Sequence, residues 1–97
     1  MRFCIGYAYR LLGDTELEMD AKKAANYFTK AIAIFQETKA ENELALAYAG
    51  YGRLHTQQGS IPQAREYLTQ ALEIFERLGT LIEPNKLREE LAELREG

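Results

Sequence analysis

Apolar residues along this chain recur at helical spacing in five stretches separated by short polar turns. Ile5, Ala8, Tyr9 and Leu12, followed by Met19, keep the three-and-four rhythm of one helix face, which predicts a helix over about 3–18. The same rhythm places further helices at about 21–37, 41–58, 61–78 and 85–95, and no stretch carries a strand signal. The last is the most polar: Leu87, Leu91 and Leu94 form a narrow stripe beside Lys86, Arg88, Glu89, Glu90, Glu93 and Arg95, and Pro84 stands just before it. Turn chemistry agrees with these breaks. Gly59 can take the left-handed conformation that ends a helix, Ser60 with Gln63 fits a capping box, and Pro62 is tolerated in a first helical turn. Gly79 stops the fourth helix, and Thr38 with Glu41 fits a capping box opening the third.

The pattern also repeats. Residues 64–75 read over residues 24–35 bring Ala, Tyr, Thr, Ala, Ile and Phe into identity at an offset of 40. The helices before them echo at 39, since Ala8-Tyr9 falls on Ala47-Tyr48, Gly13 on Gly52 and Ile5 on Leu44. The first unit therefore has one residue fewer in its internal turn, near Met19-Asp20, than the second has near Gln58-Gly59-Ser60. A fixed offset that aligns core-type residues marks a repeat architecture, in which hairpins stack because one alone cannot bury its apolar faces. Glycine inside a helix costs about 1 kcal/mol relative to alanine. Gly13 and Gly52 are thus expected where the partner helix carrying Ala24 or Ala64 approaches closely.

Tyr9-x2-Leu12-Gly13 and Tyr48-x2-Tyr51-Gly52, followed by Ala24, Phe28 and Ala31 and by Ala64, Leu68 and Ala71, resemble the tetratricopeptide repeat over about residues 5 to 78. The resemblance implies an all-α fold, an α-α superhelix of stacked antiparallel helix hairpins. It would hold two repeats, about 3–39 and 40–79, and a capping helix at about 84–95, five helices in one domain. The period is near 40 rather than 34, Glu16 and His55 stand where the family has an aromatic, and no proline ends the second helix of a unit. In these respects the chain is similar to the longer variant of bacterial signalling proteins, whose arrays sit beside ATPase, cyclase or transcription-regulator domains. Its ending resembles the C-terminal end of such an array.

What the family implies for function is a non-catalytic, cytoplasmic protein-interaction or scaffold module that needs no cofactor. Its partner, a protein or peptide, would lie along the groove lined by the first helix of each pair. Carried over residue by residue, that groove is Tyr7, Arg10, Asp14 and Leu17, then Leu46, Ala49, Arg53, Thr56 and Gln57. The capping helix extends the rows as Tyr7, Leu46, Lys86; Arg10, Ala49, Glu89; and Asp14, Arg53, Glu93, the last largely self-neutralising. Members that grip a C-terminal carboxylate use a cluster of Lys, Arg and Asn. Here only Arg10 and Arg53 are offered, with Asp14 placed to occupy one, so a bland, partly solvated groove is expected instead.

Composition narrows the alternatives. With 97 residues, 12 basic against 15 acidic and a net charge of −3, the chain is one domain with no electrostatic attraction for nucleic acid or anionic membranes. No segment reaches the roughly 20 apolar residues of a membrane span, and the start lacks the apolar run of a signal peptide. Cys4 is the single cysteine, so no internal disulfide can form and a reducing compartment is the simpler reading. It is expected to be a small, half-buried hydrophobe. His55, the single histidine, is read as packed rather than ligating, and a Cys4–His55 nucleophile pair would lack an orienting third group. Glu16, Glu18, Asp20, Glu41 and Glu43 read as solvated faces and helix-start charges. The first helix begins without a cap. Phe3, Cys4 and Tyr7 are therefore candidates for self-association, the alternative being preceding repeats that once covered them.

Overall fold

The computed structural model describes residues 2–17, 19–79, 88–89 and 91–92. It has four helices among them: α1 Arg2–Glu16, α2 Ala21–Thr38, α3 Glu41–Gln57 and α4 Ile61–Leu78. They pack in chain order as antiparallel pairs, α1 on α2 and α3 on α4, with α2 also against α3 and α1 touching α3. The all-α expectation holds, with four helices where five were expected. Most of the fifth, placed at 85–95, lies outside the described residues, although Arg88, Glu89, Leu91 and Ala92 are helical and Leu91 packs against the α3–α4 core.

Helix ends follow local hydrogen-bond demand. α1 closes at Glu16, two residues before the expected end, because the backbone N–H groups of Met19 and Asp20 both donate to the Glu16 carbonyl at 3.0 and 2.8 Å. Asp20 then caps α2: its Oδ1 accepts from the Lys22 and Lys23 backbone N–H groups at 3.1 and 3.2 Å. The two expected capping boxes do not form. Thr38 is the last residue of α2 and its hydroxyl donates to the Ile34 carbonyl at 2.9 Å, which leaves Ala40 as the N-cap of α3 without a side-chain bond. The displacement comes from Lys39, which takes φ 58° so that the Ala40 N–H can reach the Phe35 carbonyl at 3.1 Å. Ser60 is the N-cap of α4 by position, yet its side chain makes no cap bond; its carbonyl accepts from the Ala64 N–H at 2.9 Å. Gly59 and Gly79 are left-handed, at φ 79° and 80°, as expected.

The repeat is exact in the core. α2 buries Ala24, Phe28, Ala31, Ile34 and Phe35, and α4 buries Ala64, Leu68, Ala71, Ile74 and Phe75, each 40 residues later. Tyr9 stacks on Tyr27 at 6.1 Å and 26°, and their counterparts Tyr48 and Tyr67 stack at 6.0 Å and 26°. The glycine slots match too, and the close approach comes, as expected, from the helix that carries Ala24 or Ala64. A Cβ on Gly13 would meet the Phe28 ring at 2.9 Å, and one on Gly52 would meet Leu68 Cγ at 2.8 Å, so a large side chain of that helix fills each slot. Gly52 also faces the Ala64 backbone carbonyl, at 3.3 Å.

The second unit adds an aromatic cluster that the first lacks. His55 lies parallel to Tyr67 at 5.6 Å and 8°, and Tyr51 meets both rings at 4.7 Å. His55 Nδ1 is buried without a hydrogen-bond partner among the described residues, and burial holds the imidazole below the ordinary pKa of 6.5. Burial first, then Tyr51, Glu66 and Tyr48, pushes the Tyr67 hydroxyl up. The Gln36 amide donates to the Tyr48 hydroxyl at 3.0 Å and ties α2 to α3.

Three measurements test this packing. Lys39→Gly should stabilise the fold by about 1 kcal/mol in urea unfolding, because it relieves a left-handed lysine where the second unit carries Gly79. Gly52→Ala should destabilise by about 1–3 kcal/mol despite its better helix propensity, since the added methyl has no room beside Leu68. In proton NMR the single imidazole should titrate below 6.5. Because the unfolded chain then binds the proton first, stability should fall as pH drops through 6.5 toward the folded value, and His55→Phe should remove that slope.

Candidate functional site

The groove positions belong to α1 and α3, the first helices of the two hairpins, with Leu17 in the turn just after α1, and their charges are largely committed to one another. The Arg10 guanidinium meets Asp14 Oδ2 at 3.2 Å one turn along α1, and its Nε faces Glu43 Oε2 on α3 at 3.4 Å. Arg10 and Glu43 side chains are only 13% and 17% exposed, and the two facing atoms are buried without an aligned hydrogen bond, so they meet as an ion pair. The same guanidinium lies 5.1 Å from the centre of the Tyr7 ring. Glu43, read from sequence as a solvated helix-start charge, is therefore a largely buried partner of Arg10.

Asp14 sits between opposing influences. Burial raises its pKa above the usual 3.8, while Arg10 and then Arg53 pull it back. The pull from Arg53 bears on the expected Asp14–Arg53 row, whose third member, Glu93, lies outside the described residues together with Lys86. Glu89 is exposed. Gly50 allows this crowding: a Cβ there would fall 2.5 Å from the Phe28 ring and 3.3 Å from Asp14 Oδ1. Nothing in a single sequence distinguishes that glycine from any other helical one.

The remaining groove candidates divide by exposure. Tyr7 is 41% exposed, and Thr56 and Gln57 are exposed at the end of α3. Leu46 is half-buried against the α3–α4 core, and Leu17 against Phe28 and Leu54. Ala49 is 1% exposed and belongs to the core cluster with Ala45 and Tyr48, so it forms wall and offers no contact. Of the self-association candidates, Tyr7 is exposed, the side chain of Phe3 lies outside the described residues, and Cys4 is exposed where half-burial was expected. Cys4 opens α1 while His55 lies in the last turn of α3, and among the described residues no group of three His, Cys, Asp or Glu could hold a metal ion.

No described helix is long and apolar enough to cross a membrane. Comparison with curated proteins and with solved structures gave no match. A comparison with known families matched the tetratricopeptide repeat over residues 5–77, from the first turn of α1 to the last turn of α4. The matched span holds both hairpins, both tyrosine stacks and both glycine slots, and the chain belongs to the tetratricopeptide-repeat family.

Proposed function

We propose that this chain is a non-catalytic interaction module that seats a segment of a partner protein across the adjoining faces of α1 and α3. The family is one of protein-interaction modules and is generally non-catalytic. The observation that carries the finer reading is the enclosure of Arg10 by Tyr7, Asp14 and Glu43, which takes away one of the two cations, Arg10 and Arg53, on which a carboxylate clamp would draw. What this face presents is the Tyr7 ring and the Gln57 amide beside Leu46 and Leu17, the Thr56 hydroxyl being donated to the Gly52 carbonyl at 3.1 Å. That set suits a near-neutral peptide or an amphipathic helix better than an acidic tail.

The 40-residue period and the packing of Leu91 on the last hairpin support a place at the C-terminal end of an array, in the longer variant of the family used by signalling proteins. The single cysteine and acidic balance fit the cytoplasm.

A photo-cross-linking residue at Gln57 should capture a discrete protein partner in the native cytoplasm, whereas the same residue at exposed Glu73 of α4 should not. Leu46→Glu should weaken the Gln57 capture about tenfold or more. Equal capture at Gln57 and Glu73, or none at Gln57, would remove this reading.

A further inference from the structure

The groove reading makes no use of His55, which stands where the cores of the two hairpins meet. Its ring lies parallel to Tyr67 of α4 at 5.6 Å and meets Tyr51 edge-on at 4.7 Å. Tyr51 in turn packs with Ala24, Phe28 and Leu54, the cluster shared with the first hairpin, while Tyr67 packs into the core between α3 and α4. The imidazole thus sits at the join of both clusters. Thirty-nine residues earlier, Glu16 holds the register of His55 and Leu12 that of Tyr51, so the first hairpin has no counterpart.

The surroundings favour a neutral ring. Nδ1 is buried and has no hydrogen-bond partner among the described residues. A neutral imidazole tolerates that by carrying its one proton on Nε2, whereas an imidazolium carries a proton on each nitrogen and would strand the one on Nδ1. The titratable groups facing the ring are Tyr51 on α3 and Tyr67 on α4, with Tyr48 stacked on Tyr67 at 6.0 Å. Glu66 acts on the Tyr67 hydroxyl and Arg53 on Asp14, and burial is what holds the imidazole low. A stranded donor disfavours the charged ring about tenfold or more, while the faces of Tyr51 and Tyr67 return about two- to fivefold. The end of α3 adds little attraction, because its last carbonyls are taken: Leu54 by the Gln58 N–H at 3.1 Å, His55 by Ser60 at 2.8 Å and Thr56 by Gly59 at 3.1 Å.

We infer that His55 is an acid-sensitive joint: a proton taken up from mildly acidic solvent swings the imidazole out of the cluster, frees the last turn of α3 and withdraws the Gln57 end of the groove. Both consequences run through one stretch of backbone. The His55 carbonyl anchors the turn into α4 through Ser60, and Thr56 and Gln57 are the next two residues of the helix. The open form takes the proton near the ordinary 6.5 and the closed form only below it. The joint is therefore shut above 6.5 and opens as pH falls through 6.5 toward the closed-state value. The effect on a partner rests on the groove reading, whereas the opening itself does not.

Amide hydrogen exchange on the full chain, corrected for its intrinsic pH dependence, reads the joint directly. Protection of the Ser60 amide should fall about tenfold between about pH 7.5 and about pH 5.5, while the Ala24 amide of the first hairpin, bonded to the Asp20 carbonyl, should keep its protection. His55→Phe and His55→Tyr, each keeping a ring in place, should hold Ser60 protection level over that range with helicity retained by circular dichroism. With a photo-cross-linking residue at Gln57, capture of the partner should weaken at the lower pH, and in a His55→Phe background it should not. Ser60 protection that ignores pH, or that falls as much in both variants, would overturn the inference. So would Gln57 capture that stays level while Ser60 opens. Opening at Ser60 with no discrete capture at Gln57 at either pH would leave the joint standing and remove the groove reading instead.

Discussion

The structure depends on one helix being buried from two sides. α3 turns Ala45, Tyr48 and Ala49 toward α4, and Ala47 and Leu54 toward the first hairpin. Its buried set holds three alanines and two glycines, Ala45, Ala47, Ala49, Gly50 and Gly52. Large side chains therefore come from the neighbours, and Phe28, Phe35, Leu68 and Phe75 are all at most 1% exposed. Small residues on the shared helix and bulky ones on the second helices let three helices meet at close range without leaving voids. The glycines cost helix propensity, and the packing of Phe28 and Leu68 into their slots compensates.

Electrostatics adds orientation more than cohesion. The Arg77–Glu41 and Arg88–Glu76 pairs are about half exposed, and pairs of that kind contribute roughly 0–1 kcal/mol each. Arg10–Glu43 differs because both side chains are largely buried, so removing either partner would strand a charge. It spans α1 and α3 where those helices have few other contacts, which makes it a register device between the hairpins. The Gln36–Tyr48 bond does the same for α2 and α3.

Phase was legible in the sequence because core residues repeat in identity: Ala24 with Ala64, Tyr27 with Tyr67, Phe35 with Phe75. Helix existence followed from the same stripes. Caps were less legible, since Thr38 and Ser60 have the right chemistry and the backbone path decides whether it is used. Lys39 occupies a left-handed position that no lysine advertises, and its equivalence to Gly79 is the signal that could have found it. Contacts distant in sequence were the least legible. Glu43 reads as an ordinary helix-start acid until Arg10 is placed beside it, and Ala49 reads as groove until its neighbours close over it. The groove as a set of positions came from family resemblance, and its chemistry changed once Arg10 proved to be enclosed.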